Sequence, residues 1–206
     1  MGTNEKSRSE LTEEKSLWDI YLSARRIKSS KFNTLSTALV FLLLVVSSWL
    51  TSQPIDQTVE LIRKSAETGL SIGLSTLGLL LAGFTVFATI SQPSLSIKMS
   101  EVARQDSGLS YLKHNYFIFL RVFIYYLIFS LICLFIMMFG HEEGLISLLL
   151  SLSPYESEMK FTIVKICYVI LFTTYYFIII QLKSFVFNIY HAVMTALRWK
   201  AEGHDY

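Results

Sequence analysis

His141, Glu142 and Glu143 stand together as HEE, the start of a metalloprotease zinc helix, but the second histidine that such a helix needs one turn later is absent. His114, His191 and His204 are isolated along the chain. All four histidines are therefore expected at surfaces or interfaces. Cys133 and Cys167 are the only cysteines, too few for a disulfide scaffold or a zinc site, and both fall in apolar sequence where soft packing is the expected role. Arg121 and Lys165 are the ionisable residues inside the apolar blocks, each near a block's end and able to reach toward water. No Asp or Glu lies in any block, which removes the usual basis of a proton relay. A phosphate-binding glycine loop, a GxSxG elbow and a nucleic-acid-binding signature are also missing. The chain is expected not to be an enzyme, and to need no cofactor or metal.

The elements around these residues are apolar helices. The 206 residues are 52% hydrophobic and only 17% charged, against roughly 25% charged in soluble domains. Four blocks, about Thr34–Leu50, Gly69–Ile90, Phe117–Phe139 and Phe161–Leu182, are each long enough to cross a hydrocarbon core of about 30 Å as a helix. The expected fold is all-α, a four-span transmembrane helical bundle. Residues 1–32 form an amphipathic N-terminal segment, residues 33–182 the membrane domain, and residues 183–206 a helical tail that extends the last span. The polar run before the first block, with Arg25, Arg26, Lys28 and Lys31, does not read as a cleaved signal peptide. Fourteen Lys and Arg fall on the side of the two termini and four on the other, namely Arg63, Lys64, Lys160 and Lys165. That asymmetry predicts a multi-pass membrane protein with both termini cytoplasmic.

In the N-terminal segment, Thr12 is expected to cap a helix with Glu13 and Glu14 in its first turn, while Leu17, Trp18, Tyr21, Leu22 and Ala24 gather on one side. Such a helix can lie on the cytoplasmic leaflet or pack on the protein itself. After Pro54, Ile55, Val59, Ile62 and Ala66 form a narrow stripe, with Glu60 and Lys64 paired, which predicts a short helix roofing the bundle. The apolar run Leu145–Ser153 is too short to cross and suits an interfacial or re-entrant segment among the membrane lipids. In the tail, Val186, Ile189, Tyr190, Val193, Met194 and Leu197 recur at helical spacing, an apolar stripe suited to docking a partner.

The second block, GLSIGLSTLGLLLAGFTVFATI, carries Ser71, Ser75, Gly78, Ala82, Thr85 and Thr89 at alternating spacings of four and three, one seam along a helix. Helices in lipid gain little from hydrophobicity when they associate and rely on close packing and hydrogen bonds, so a small-residue seam admits another backbone. Its partner is a span of the same chain, a second subunit, or water in a pore. Gly69 and Gly73 add a GxxxG pair on a neighbouring face. The third and fourth spans form a hairpin by topology, which places Cys133 near Cys167, Tyr125 and Tyr126 near Tyr175 and Tyr176, and Arg121 level with Gln181.

This organisation, with the basic SARRIKSSK ending of the first helix, the LGLLLAGFTVFATISQP span and the amphipathic tail, resembles KwaA, the membrane subunit family of the bacterial Kiwa anti-phage defence system. The resemblance implies a homo-oligomer of the bacterial inner membrane, a tetramer, that senses phage attack at the envelope and anchors a soluble cytoplasmic partner, KwaB, which acts on phage DNA, while the membrane subunit itself binds no nucleic acid. The reading is thus a membrane sensor and scaffold in a defence complex. The alternative is a pore-forming effector that depolarises the membrane when triggered.

Overall fold

The computed structural model describes residues 13–51, 54–90, 93–141, 144–151 and 156–203. The protein is all-α. Among the described residues, seven helices follow one another: α1 (Leu17–Ala24), α2 (Lys31–Leu50), α3 (Ile55–Ile90), α4 (Pro93–Glu101), α5 (Tyr111–Phe139), α6 (Leu145–Ser151) and α7 (Glu156–Ala201). Four of them, α2, α3, α5 and α7, are long and apolar enough to cross a membrane. The chain is a membrane protein by the length and composition of these helices.

One helix boundary differs from expectation, and the expected extension of the last span is present. No separate roof helix follows Pro54; the stripe that begins at Ile55 continues into the second span as one helix of 36 residues. Nothing between Ile55 and Thr68 breaks the ladder, and Glu60 reinforces it through a 2.7 Å ion pair with Lys64. The last helix is longer still, 46 residues, because the apolar span passes into the amphipathic tail without Pro or Gly.

The chain folds as two compact units that cut across the expected segments: residues 30–76 with 126–180, and residues 1–29 with 77–125 and 181–206. The first unit is held by a glycine face. Ile62, Ala66, Gly69 and Gly73 are buried along α3. A Cβ at Gly69 would lie 2.6 Å from the Tyr175 hydroxyl, 2.8 Å from Cys133 Sγ and 2.9 Å from the Phe129 ring, and one at Gly73 would collide with Ser130 Oγ. Phe129 and Tyr175 stack edge to face at 4.9 Å. Hydroxyls tie these helices together: Tyr126 donates to the Ile178 carbonyl at 3.0 Å, Ser130 to the Tyr126 carbonyl at 2.9 Å, and Tyr175 to the Ser65 carbonyl. In lipid, such groups need partners inside the protein. The expected tyrosine pairing is therefore altered: Tyr126 does bind the last helix, through its backbone, but Tyr175 turns to α3. Both cysteines are free, Cys133 buried and Cys167 half-buried.

In the second unit α1 packs on the protein itself. Its cap is Ser16, whose Oγ accepts the Asp19 amide hydrogen bond at 3.1 Å while the Asp19 carboxylate accepts from the Lys15 amide at 3.2 Å. The Ser16 hydroxyl holds the Asp19 carboxyl below its ordinary range. Thr12 lies outside the described residues, and Glu13 and Glu14 precede the helix. They do so because both turn to Lys113: Glu14 at 2.8 Å and Glu13 at 3.8 Å. Ala24 and Ile27 join Leu109 and Phe117 in a small core. Arg121, expected level with Gln181, instead reaches the end of α1, donating to the Ile27 carbonyl at 2.9 Å and the Ala24 carbonyl at 3.4 Å. The cation lies at the negative end of the α1 dipole, where the Ala24 carbonyl also accepts the Ile27 amide at 3.1 Å. Tyr125 packs edge-on against Tyr21 at 6.4 Å.

Candidate helix-association and docking surfaces

Among the described residues, the seam on α3 is left uncovered. Ser71, Ser75, Gly78, Ala82, Thr85 and Thr89 are all exposed, and a Cβ added to Gly78 would meet nothing within 4 Å. Internal packing uses the other side of the helix: Gly69 and Gly73 in one unit, and in the other Leu80, Gly83 and Phe87. There a Cβ at Gly83 would come within 3.2 Å of Ile189 and 3.4 Å of the Phe185 ring. Phe87 lies 5.3 Å from the Tyr116 ring and 4.8 Å from that of Phe119. The GxxxG pair, the weaker of the two sequence signals, is the one that the chain itself occupies.

The exposed seam is chemically fit for lipid or for a second helix. Thr85 Oγ1 donates to the Leu81 carbonyl at 3.0 Å and Thr89 Oγ1 to the Thr85 carbonyl at 3.0 Å. These hydroxyls are satisfied within their own helix and demand no water. What remains on that face is a shallow strip where a backbone can approach closely.

The tail residues divide in two. Ile189 and Val193 are half-buried, whereas Val186, Tyr190, Met194 and Leu197 are exposed, joined by Phe187. The outer face of α7 thus presents one apolar stripe for about three turns. A similar patch lies on α1, where Leu17, Trp18 and Leu22 are exposed while Ala24 is buried. Of the two alternatives for α1, packing on the protein holds for one face, and the other face remains available to a membrane surface or a partner.

A third feature was not visible in the sequence. Arg104, Tyr111, His114, Asn115, Asn188 and His191 converge on a hollow of about 380 Å³ between α4, α5 and the tail part of α7. Arg104 is held there by Asp106 through two 3.0 Å hydrogen bonds, in a loop that turns at Gly108 with φ +69°, a left-handed conformation suited to glycine. His114, expected at a surface, is buried, with its Nδ1 3.2 Å from Ser107 Oγ. Burial follows from its place opposite α7, one position after Lys113 on the face that α5 turns inward. His141 and His191 are exposed, and His204 lies outside the described residues. Among the described residues no three His, Cys, Asp or Glu side chains gather as a metal site.

Comparison with protein-family models, with curated proteins and with solved structures finds no match to this chain.

Proposed function

We propose that this membrane protein is the oligomeric sensor and scaffold subunit of a multicomponent bacterial anti-phage defence complex, seated in the inner membrane with both termini cytoplasmic. One observation carries the scaffold part of the reading: the small-residue seam of α3 is exposed from Ser71 to Thr89 while Gly73, Leu80 and Phe87 on the opposite side of the same helix are buried. A strip of this kind in a bilayer is an association surface without an occupant in the single chain. The stripe of Val186, Tyr190, Met194 and Leu197 supports the second part, recruitment of a soluble cytoplasmic protein, which is KwaB if the resemblance in organisation holds. The defence assignment rests on that resemblance. Catalysis is left to the partner, in keeping with the scarcity of acid, base and nucleophile in the spans.

Purification in mild detergent from the native genetic context, with the particle mass measured and co-purifying proteins identified, tests the reading. A homo-oligomer carrying a stoichiometric soluble protein that is lost on deleting residues 184–206 is the expected result. A monomer, or a homo-oligomer without partner that conducts ions in a planar bilayer, would overturn it, the latter in favour of a pore-forming effector.

A further inference from the structure

The helix α2 contributes little to the interior: Asn33 is its one buried residue, and Leu35, Leu39, Leu42, Val46 and Trp49 are exposed. Between its second half and the beginning of α7 runs a groove of about 710 Å³, within the usual range for a small-molecule site. Its floor is hydrocarbon, from Phe41 and Val45 on one side and Ile166, Val169 and Ile170 on the other. At one end stands Lys165. Its Nζ lies 4.0 Å from the Phe161 ring centroid and 5.3 Å from that of Trp49, and no carboxylate among the described residues comes within 4.0 Å of it. The adjacent hollow at the same end of the unit differs, because its cations are already engaged: Lys160 faces Asp56 at 3.6 Å, and Arg63 donates to the Gly140 carbonyl at 2.6 Å.

Cation–π contacts to two aromatic faces do not neutralise an ammonium. In an apolar setting it calls for an anion. Ser48, Thr162 and the Trp49 indole line the same end of the groove and supply further hydrogen-bond donors. Trp49 and Lys165 are also the residue types that sit at headgroup level. We infer that the groove between α2 and α7 is a binding site for an anionic amphiphile, with its acyl chain along Phe41, Val45, Val169 and Ile170 and its negatively charged head at Lys165. Glu158 lies two turns nearer the start of α7, at the groove's mouth. Its carboxylate disfavours heads of high negative charge and selects those with one anionic group. A monoanionic phospholipid and a free fatty acid share this chemistry.

Full-length protein carrying Trp18→Phe and Trp199→Phe, which leaves Trp49 as the sole tryptophan, is reconstituted with acyl-brominated phosphatidylglycerol, phosphatidylcholine or fatty acid, and indole quenching is measured. The expected result is a preference of about fivefold for the anionic amphiphiles over phosphatidylcholine, the contribution of one basic side chain toward anionic lipid. Lys165→Gln should abolish the preference and Lys165→Arg should retain it. Val45→Phe, which fills the floor, should reduce quenching by all three while leaving elution and thermal stability unchanged. Stronger quenching by phosphatidylglycerol than by fatty acid identifies a phospholipid site, and the reverse a fatty-acid site. Equal quenching by phosphatidylcholine and phosphatidylglycerol, an unaltered preference in Lys165→Gln, or no quenching because a second copy covers the groove would each overturn the proposal.

Discussion

On α3, Gly69 and Gly73 lie under Phe129, Ser130, Cys133 and Tyr175, whereas Gly78 has open space where its Cβ would be. The two sets of small residues share one helix and one composition, but they face opposite ways. In the first set the missing side chain is a steric requirement of the single chain. In the second it is a vacancy that only another molecule can use. Small residues in a membrane helix therefore mark close approach without saying whose backbone approaches.

Gly73→Leu attacks the occupied face and has the largest expected effect. Overpacking against Ser130 should cost about 3 kcal/mol, read as a sharp fall in thermal stability in detergent. Arg121→Met comes next. It removes the donor to the Ala24 and Ile27 carbonyls, a loss of about 2 kcal/mol for a charged hydrogen bond, and tryptic cleavage at Arg25 and Arg26 should accelerate. Tyr126→Phe deletes the single hydrogen bond to the Ile178 carbonyl and should cost only about 0.6 kcal/mol, the average for such bonds in membrane helices. The smallest effect on the single chain belongs to Gly78→Leu with Ala82→Leu. Exposed positions of this kind change stability by less than about 0.5 kcal/mol, so the melting curve should be unaltered while the particle mass in detergent falls. If Gly78→Leu and Gly73→Leu destabilised equally, the distinction between the two faces would be lost.

The four apolar helices were legible because runs of roughly 17–25 predominantly apolar residues have few alternatives to a helix in lipid. Their ends were less so. Charge and hydropathy mark where a span leaves the hydrocarbon, but α3 is helical before that point, since Glu60–Lys64 favours the same backbone in water, whereas the run of α7 into the tail was legible from its stripe and its lack of Pro and Gly. The seam was legible as a pattern and not as a contact. Which small face is occupied depends on Phe129, Ser130 and Tyr175, residues far along the chain whose rotation about their own helices no local period encodes. Arg121 was misplaced for a related reason. Proximity to a span's end suggested an escape to water, while the nearer satisfaction was a helix terminus brought in from the N-terminal segment. The polar hollow beside His114 is assembled from α4, α5 and α7, and no one of them shows it alone.

The carbonyls of Ala24 and Ile27 meet their donor 97 and 94 residues later in the chain. A ribosome adding about 5–20 residues per second needs roughly 5–20 s to cover that distance. During this interval α1 exists without its clamp, with Leu17, Trp18 and Leu22 as its apolar surface and Arg25, Arg26 and Lys28 beside them. That combination favours adsorption to anionic lipid. The contact that ties α1 to α5 can therefore close only after both intervening long helices, α2 and α3, have been made.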